Sequence, residues 1–185
     1  MKNDIDNALK VLRKGGVILY PTDTIWGIGC DATNSQAVER IFNIKRRNDA
    51  KSMLSLVDSE EMLQLYVNKI PEAALQMIQV ADKPLTIIYD HPIGISSNLL
   101  ASDGSAGFRI TKEPFSNKLC NLLNRPLVST SANISGMPSP KNFWEIDEEI
   151  INSVDYVVEF GKNYKSSTPS NIVKVTDSNI ITIIR

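Results

Sequence analysis

The sequence GGVILYPTDTIWGIGC, residues 15–30, decides how the rest of the chain is interpreted. Its apolar run VILY stops at Pro21, where a strand should end because proline fixes its own φ and donates no backbone hydrogen bond. The polar corner TDT (22–24) follows, and then Gly27 and Gly29, which permit tight turns and close backbone approach. Hydroxyls and a carboxylate at a strand end, beside glycines, are typical of a functional site.

A group of cations follows this corner after a helical segment. Four of them fall within seven positions, at Lys45, Arg46, Arg47 and Lys51. A polar strand end near such a group indicates an anionic substrate. The alternative is a structural one, because Lys45 and its neighbours fall at the end of an amphipathic helix, where the helix dipole favours cations.

Length and composition indicate one ordinary globular domain. The chain has 185 residues, of which 42% are hydrophobic and 22% charged, with a formal net charge of −1. Such a charge provides no global field that would draw the chain to nucleic acid or membrane, so an anion site must be local. Cys30 and Cys120 have no CxxC spacing, which favours a reducing cytoplasm. The sequence contains no signal peptide and no apolar stretch of the roughly 20 residues that a membrane span requires.

The order of predicted elements defines the fold class. Strands alternate with helices in the first part of the chain, and strands dominate the last part. This order predicts a mixed sheet with helices packed on it, an α/β fold in a single domain over residues 1–185. One strand is expected to carry Arg109, and Ser116 is expected to cap the helix that follows.

Several familiar catalytic motifs are missing. The sequence has no GxxxxGK[ST] phosphate loop and no GxGxxG fingerprint. His91 is the only histidine and no triad motif supports it, while a zinc site would need about four Cys or His ligands. We therefore expect no catalytic side-chain nucleophile. Cations, hydroxyls and glycines suit an enzyme that positions reactants and stabilises charge, as in transfer at phosphorus.

Two further features could bind anionic groups. Arg109 lies in the apolar context Phe108–Ile110, and a buried guanidinium needs an anionic partner, either a structural carboxylate or a substrate. The hydroxyl run 129–131 and the later SSTPS (166–170) could contact phosphate or form ordinary turns.

Four sequence blocks, in this order, together resemble one family. They are PTDTIWGIG, KRRNDAKSM, FRI around Arg109 and SANISG at 131–136. They are similar to the threonylcarbamoyl-AMP synthases of the YrdC/Sua5 family, which usually show PTETVYGLG and KxRP. The length resembles the short bacterial form without the extra C-terminal domain. The resemblance implies a YrdC-like fold, a twisted open mixed sheet with flanking helices and a concave cavity.

The resemblance also implies an activity. Such an enzyme makes L-threonylcarbamoyl-AMP from L-threonine, bicarbonate and ATP and releases pyrophosphate, for N6-threonylcarbamoyladenosine at position 37 of tRNA (t6A37). Mg²⁺ is expected to accompany ATP, and the preferred metal is left open. The implied partners are the three substrates, with tRNA and the downstream threonylcarbamoyl-transfer proteins as candidates. No membrane partner is expected, and the location is expected to be cytoplasmic.

Residue by residue, the resemblance implies two groups of ligands. Threonine would be held by Thr24, Leu56, Arg109, Ser129 and Ser170. ATP would be held by Lys45, Arg47, Lys51, Ser105, Ser131, Asn133, Ser139 and Arg185. Because Leu56 is a histidine in some members, its contact here would be through backbone or van der Waals atoms. Asp23 replaces the usual Glu, Trp26 replaces Tyr, and Asn48 replaces Pro in the loop before Lys51.

Two other functions remain open from the sequence. One is carbamoyl-adenylate chemistry from carbamoyl phosphate and ATP, as in the YrdC-like part of hydrogenase-maturation proteins. The other is a double-stranded RNA or ribosome-associated binding module, which the net charge disfavours because nucleic-acid binders usually carry a basic excess.

Overall fold

Helices and strands alternate through residues 1–47, 53–164 and 169–185, which are the residues that the computed structural model describes. The helices of these residues are α1 (Lys2–Arg13), α2 (Ser35–Lys45), α3 (Glu60–Gln64), α4 (Glu72–Val80), α5 (Pro114–Leu123) and α6 (Glu148–Ser153). The strands are β1 (Ile18–Tyr20), β2 (Gly27–Gly29), β3 (Leu54–Val57), β4 (Leu85–Tyr89), β5 (Ala106–Ile110), β6 (Leu127–Ser131), β7 (Tyr156–Val157), β8 (Asn171–Val175) and β9 (Ile181–Ile183). None of these helices is long and apolar enough to cross a membrane.

The strands form a mixed sheet in the order β7-β1-β2-β6-β3-β5-β4-β8-β9. Three neighbouring pairs, β1 with β7, β3 with β5 and β4 with β8, are parallel, and the other pairs are antiparallel. Helices α1 and α5 pack against each other and contact the sheet at β1 and β3. The predicted class, a twisted open mixed sheet with flanking helices, is confirmed.

The first helix and strand form for the reasons that the sequence suggests. Helix α1 buries Ile5, Ala8, Leu9 and Leu12, which recur at helical spacing. All three residues of β1 are buried, and the strand ends immediately before Pro21.

Gly27 and Gly29 belong to a strand, whereas the sequence suggested only a glycine corner. They form the ends of β2, which lies between β1 and β6. A Cβ atom on Gly29 would lie 2.6 Å from Cε1 of Tyr20, so only glycine allows the Tyr20 ring to cross this strand. The Tyr20 hydroxyl then donates to the carbonyl of Val128 at 3.1 Å. The glycines are therefore needed for packing between strands.

The cap of α5 also differs from the expectation. Glu113, and not Ser116, is the N-cap, and its carboxylate accepts hydrogen bonds from the backbone N–H groups of Phe115 and Ser116. Pro114 occupies the first turn, where its missing N–H is not needed. The prediction of Ser116 was wrong because the helix begins one turn earlier, at a proline.

Candidate active site

A hollow of about 290 Å³ lies over the middle of the sheet. Distant parts of the chain form its walls. The lining residues with polar side chains are Thr24, Trp26, Arg109, Ser129, Thr130, Ser131, Ser139, Lys141, Ser170 and Arg185. The sequence predicted seven of these as ligands of one site, and the fold brings those seven together.

The strand register explains why these side chains share one face. Leu54 of β3 pairs with Ser129 of β6 on one side and with Gly107 of β5 on the other. Gly27 of β2 pairs with Ser131. Paired residues of neighbouring strands point to the same side of a sheet, and alternate residues along a strand do likewise. Ser129 and Ser131 therefore face the same hollow, and glycines on the flanking strands leave space above it.

Arg109 is the most deeply buried cation of the hollow. Its side chain is 3% exposed, and one guanidinium nitrogen lies 2.9 Å from Oδ1 of Asp23. The same nitrogen lies 3.5 Å from the hydroxyl oxygen of Thr24. Burial raises the pKa of the Asp23 carboxyl, although the nearby guanidinium acts in the opposite direction. Burial also lowers the pKa of Arg109. The two charges stabilise each other in a place that water scarcely reaches.

This ion pair leaves donor capacity on the guanidinium. The Nε atom of Arg109 is buried and has no hydrogen-bond partner among the described residues. A guanidinium carries five N–H donors, and an unsatisfied buried donor costs free energy. The structural alternative for Arg109 is therefore observed, and the substrate alternative remains a prediction. Asp23 is its carboxylate partner, and a donor still remains for a further acceptor.

Arg185 brings a second guanidinium to the hollow. Its Nε donates to the carbonyl of Ser170 at 3.2 Å, which ties the last residue to the segment before β8. The Ser170 hydroxyl in turn lies 2.9 Å from the hydroxyl of Thr86. The charge of Arg185 is close enough to contribute to the lowered pKa of Arg109. Two arginines thus share one hollow, which favours an anionic occupant.

Lys45 lies behind the site and not in its wall. It is 2% exposed, and its Nζ donates to the carbonyl oxygens of Ser131 at 2.6 Å and Asn133 at 2.7 Å. Burial, followed by the charge of Arg47, lowers the pKa of Lys45 to about 8. The ammonium therefore binds the backbone at the end of β6.

Four other predicted ligands do not line the hollow. Leu56 is fully buried and pairs with Arg109 in the sheet, so its contact with the site is indirect. Ser105 donates its hydroxyl to Asp103 at 2.6 Å. Asn133 donates its amide to backbone carbonyls of its own loop, and Arg47 is half-buried after the end of α2. Their roles remain predictions. Lys51 lies outside the described residues.

Lys141 and Trp26 are site residues that the sequence did not assign. Lys141 is exposed at the hollow, and its ammonium forms no ion pair with the described residues. Trp26 is 4% exposed and packs on Phe143 with ring centroids 5.0 Å apart. Its indole N–H is buried without a partner among the described residues. The available sequence signal for Lys141 was its position two residues after Ser139, which was a predicted ATP ligand.

No Cys, His, Asp or Glu side chain lines the hollow among the described residues. Cys30 and Cys120 are buried, and burial raises the pKa of both thiols. His91 lines a different hollow together with Glu72 and Asp90. No group of three or more His, Cys, Asp or Glu among the described residues could hold a metal ion. The polar part of the lining consists of cations, hydroxyls and the indole of Trp26, and apolar side chains such as Leu54 and Ile172 complete it.

Comparison with known sequences identifies close relatives. The Sua5–YciO–YrdC family model, described as "Telomere recombination", matches residues 10–185. A "Putative threonylcarbamoyl-AMP synthase" of Methanocaldococcus jannaschii is 38% identical over 184 residues, which cover 98% of this chain and 85% of the relative. A "Threonylcarbamoyl-AMP synthase" of Vibrio campbellii is 30% identical over 184 residues, or 98% of each chain.

Solved structures share the fold. E. coli YciO matches with a TM-score of 0.86 and 24% identity, over 100% of this chain and 89% of that one. P. abyssi Sua5 complexed with L-threonine matches with a TM-score of 0.84 and 24% identity, over 98% of this chain. This chain spans only 53% of that Sua5 chain. At such identity the two likenesses establish the fold alone.

Proposed function

This chain belongs to the Sua5–YciO–YrdC family, and on that premise we propose that it is an L-threonylcarbamoyladenylate synthase. Its substrates are L-threonine, bicarbonate and ATP, and its products are L-threonylcarbamoyl-AMP and pyrophosphate. Two relatives, 38% and 30% identical over 98% of this chain, are named as threonylcarbamoyl-AMP synthases, the first as a putative one. The hollow over the sheet supports the same conclusion from its own chemistry.

The observation that carries the proposal is the buried guanidinium of Arg109. It lies in the wall of the hollow, and beside its ion pair with Asp23 its Nε donor has no hydrogen-bond partner among the described residues. A carboxylate can accept two parallel hydrogen bonds from a guanidinium. We assign the carboxylate of threonine to Arg109. The hydroxyls of Thr24, Ser129 and Ser170 line the same hollow and offer partners for the amino and hydroxyl groups of threonine.

The remaining polar groups suit the phosphates of ATP. Ser131, Ser139, Lys141 and Arg185 line the hollow and supply two hydroxyls and two positive charges. Within the described part of the chain, Asp23 is the carboxylate paired with Arg109, and no Asp or Glu lines the hollow. A strongly acidic site therefore does not oppose the binding of a substrate carboxylate and a polyphosphate. Arg47 and Lys51 remain proposed contacts of the same polyphosphate.

The reaction forms and breaks two sets of bonds. The amine of threonine attacks bicarbonate, a C–N bond forms, and water leaves to give N-carboxythreonine. A carboxylate oxygen of this carbamate then attacks the α-phosphorus of ATP. The new P–O bond replaces the bond to the β-phosphate, and pyrophosphate departs with that electron pair. Neither step requires a covalent enzyme intermediate, so the proposal needs no side-chain nucleophile.

Rate acceleration in this proposal comes from positioning and electrostatics. Arg109 orients threonine so that its amine, and then its carbamate, points towards the α-phosphorus. The cations on the ATP side stabilise the charge that develops on the departing pyrophosphate. Phosphoryl-transfer enzymes generally depend on these two contributions.

Mg²⁺ is part of the proposal as a companion of ATP. Magnesium usually keeps several waters and binds through substrate phosphates with one or two carboxylates. The described residues hold no carboxylate cluster for it, while Ser131 and Ser139 supply hydroxyl oxygens at the hollow. We therefore propose that the triphosphate itself carries the ion, whose charge would screen the phosphates.

The product has a reactive mixed anhydride, so a following transfer must consume it. We propose that the acceptor is adenosine 37 of tRNA, with tRNA or threonylcarbamoyl-transfer proteins as partners. A cytoplasmic location belongs to the same proposal because ATP and tRNA meet there.

Incubation of the purified protein with ATP, L-threonine, bicarbonate and Mg²⁺ tests the proposal. Mass spectrometry should detect L-threonylcarbamoyl-AMP, and pyrophosphate release should require both threonine and bicarbonate. Parallel reactions replace threonine and bicarbonate with carbamoyl phosphate, or measure binding of double-stranded RNA without turnover. Turnover only with carbamoyl phosphate, or tight RNA binding without pyrophosphate release, would overturn the proposal.

A further inference from the structure

Lys45 joins the end of helix α2 to the end of strand β6 through three hydrogen bonds. Its Nζ donates to the carbonyls of Ser131 at 2.6 Å and Asn133 at 2.7 Å. Its own carbonyl accepts a hydrogen bond from the backbone N–H of Ser135 at 3.0 Å. Both ends of one residue therefore bind the segment 131–135.

This arrangement is an unusual use of a lysine. The side chain is 2% exposed, and no carboxylate among the described residues pairs with its ammonium. A buried positive charge that is compensated only by carbonyl dipoles is costly, and a neutral apolar side chain would avoid that cost. The ammonium does, however, supply short charge-assisted hydrogen bonds that fix the direction of two successive carbonyls.

The bonded segment and the helix end both lead to the ATP side of the hollow. Ser131, whose carbonyl receives one bond, lines the hollow together with Ser129 and Thr130. Arg47 follows Lys45 by two positions, after Arg46 has turned the backbone into the left-handed region at φ 52°. The relative position of Ser131 and Arg47 therefore depends on the link through Lys45.

We propose that Lys45 is a positioning residue that holds the Ser131 segment and the Arg47 segment together, and that it is not itself a phosphate ligand. This inference rests on the proposed function, because it gives Lys45 a role in ATP binding through its neighbours. The competing possibility is that the third N–H of the ammonium reaches a phosphate when ATP is bound.

Hydrogen exchange tests the link without any assay of activity. In Lys45→Met, the Ser135 amide and the neighbouring Ala132 amide should exchange about tenfold faster, because two charge-assisted bonds are lost. Lys45→Gln removes the charge but keeps a donor group, so it should preserve part of the protection and should fold even if Lys45→Met does not. Lys118→Met, at an exposed helical lysine of α5, is the matched control and should change nothing.

A double-mutant cycle with Ser131→Ala tests how Lys45 affects ATP. If Lys45 acts through the Ser131 segment, its substitution should raise the KM for ATP and lower kcat, with little change in the KM for threonine. The effect should be clearly smaller when Ser131 is already alanine, because residues that act as a unit are not additive.

Two results would overturn the proposal. One is unchanged exchange of the Ser135 amide in both Lys45 variants. The other is full additivity of Lys45→Met with Ser131→Ala in the KM for ATP, together with an equally large rise of that KM in Lys45→Gln, which would make Lys45 a direct phosphate contact. If the wild-type protein produced no adenylate, the proposed function would fail, while the exchange data would still decide whether the link exists.

Discussion

The carboxylate of Asp23 lies 2.9 Å from the guanidinium of Arg109, and the two side chains are 12% and 3% exposed. Asp23 follows β1, and Arg109 belongs to β5, so the pair joins distant parts of the sheet. Since the Nε of the guanidinium has no partner within residues 1–47, 53–164 and 169–185, the carboxylate holds the cation in place without using all of its donors. The pair can therefore serve both stability and substrate binding.

Asp23→Ala should destabilise the protein strongly. Removal of one partner of a buried ion pair leaves an uncompensated charge and typically costs about 3–5 kcal/mol. Urea unfolding monitored by circular dichroism measures the change. Glu149→Ala, which breaks the exposed pair with Arg46, is the control and should cost at most about 1 kcal/mol. Equal losses of unfolding free energy in the two variants would show that the buried pair contributes no more to stability than the exposed pair.

Arg109→Lys should weaken threonine binding selectively. Lysine keeps the positive charge but lacks the planar set of donors that matches a carboxylate. Loss of one charge-assisted hydrogen bond of about 1.5–3 kcal/mol corresponds to an increase of about 10- to 150-fold in the KM for threonine. Pyrophosphate release at varied threonine and varied ATP measures it. An unchanged threonine dependence would leave Arg109 with a structural role only.

Lys141→Ala should weaken ATP binding by a few-fold. Its ammonium is exposed at the hollow, where the interaction with phosphate is screened, so about 1 kcal/mol or a factor of about five is expected. The difference from wild type should shrink as salt rises from low to physiological concentration. Lys118→Ala, at an exposed lysine of α5 that does not line the hollow, should have the wild-type KM for ATP. A KM for ATP that is independent of Lys141 at low salt would remove this residue from the site.

Asp4 should make stability depend on acid pH. Its burial alone would raise the pKa of Asp4, but hydrogen bonds from the hydroxyl of Tyr156 and from the backbone N–H groups of Glu159 and Phe160 lower it overall. Because the carboxyl binds protons less readily in the folded state, its contribution is complete above its unfolded pKa, about 4. The contribution is lost as the pH falls through the lower folded pKa.

Asp4→Asn should therefore reduce the free energy of unfolding at pH 7 by about 1–3 kcal/mol. The gap between the variant and wild type should narrow as pH falls below about 4, where the Asp4 carboxyl of the unfolded chain is protonated before that of the folded protein. Urea titrations at pH 7, 5 and 3 measure the difference in unfolding free energy between wild type and Asp4→Asn at each pH. A gap that stayed constant with pH would mean that the charge of Asp4 does not contribute.

The sequence by itself determined the fold class, and the family resemblance of its blocks predicted the seven serine, threonine and arginine residues that line the hollow. These signals are local. Pro21 ends a strand through its own covalent geometry, and the apolar spacing of α1 needs only the helical period. The blocks around Thr24, Arg109 and Ser131 could be identified because each is continuous in sequence.

Only the tertiary structure decided how individual side chains are used. Gly27 and Gly29 form strand β2 because β1 and β6 pair with it on either side. The glycine positions alone do not indicate which strands will be these neighbours. Asp23 became the partner of Arg109, and Lys45 bound two carbonyls of a distant loop, because hydrogen bonds and ion pairs depend on distances in space. Sequence patterns carry the periodicity of one segment, while the contacts between segments arise only when the sheet has formed.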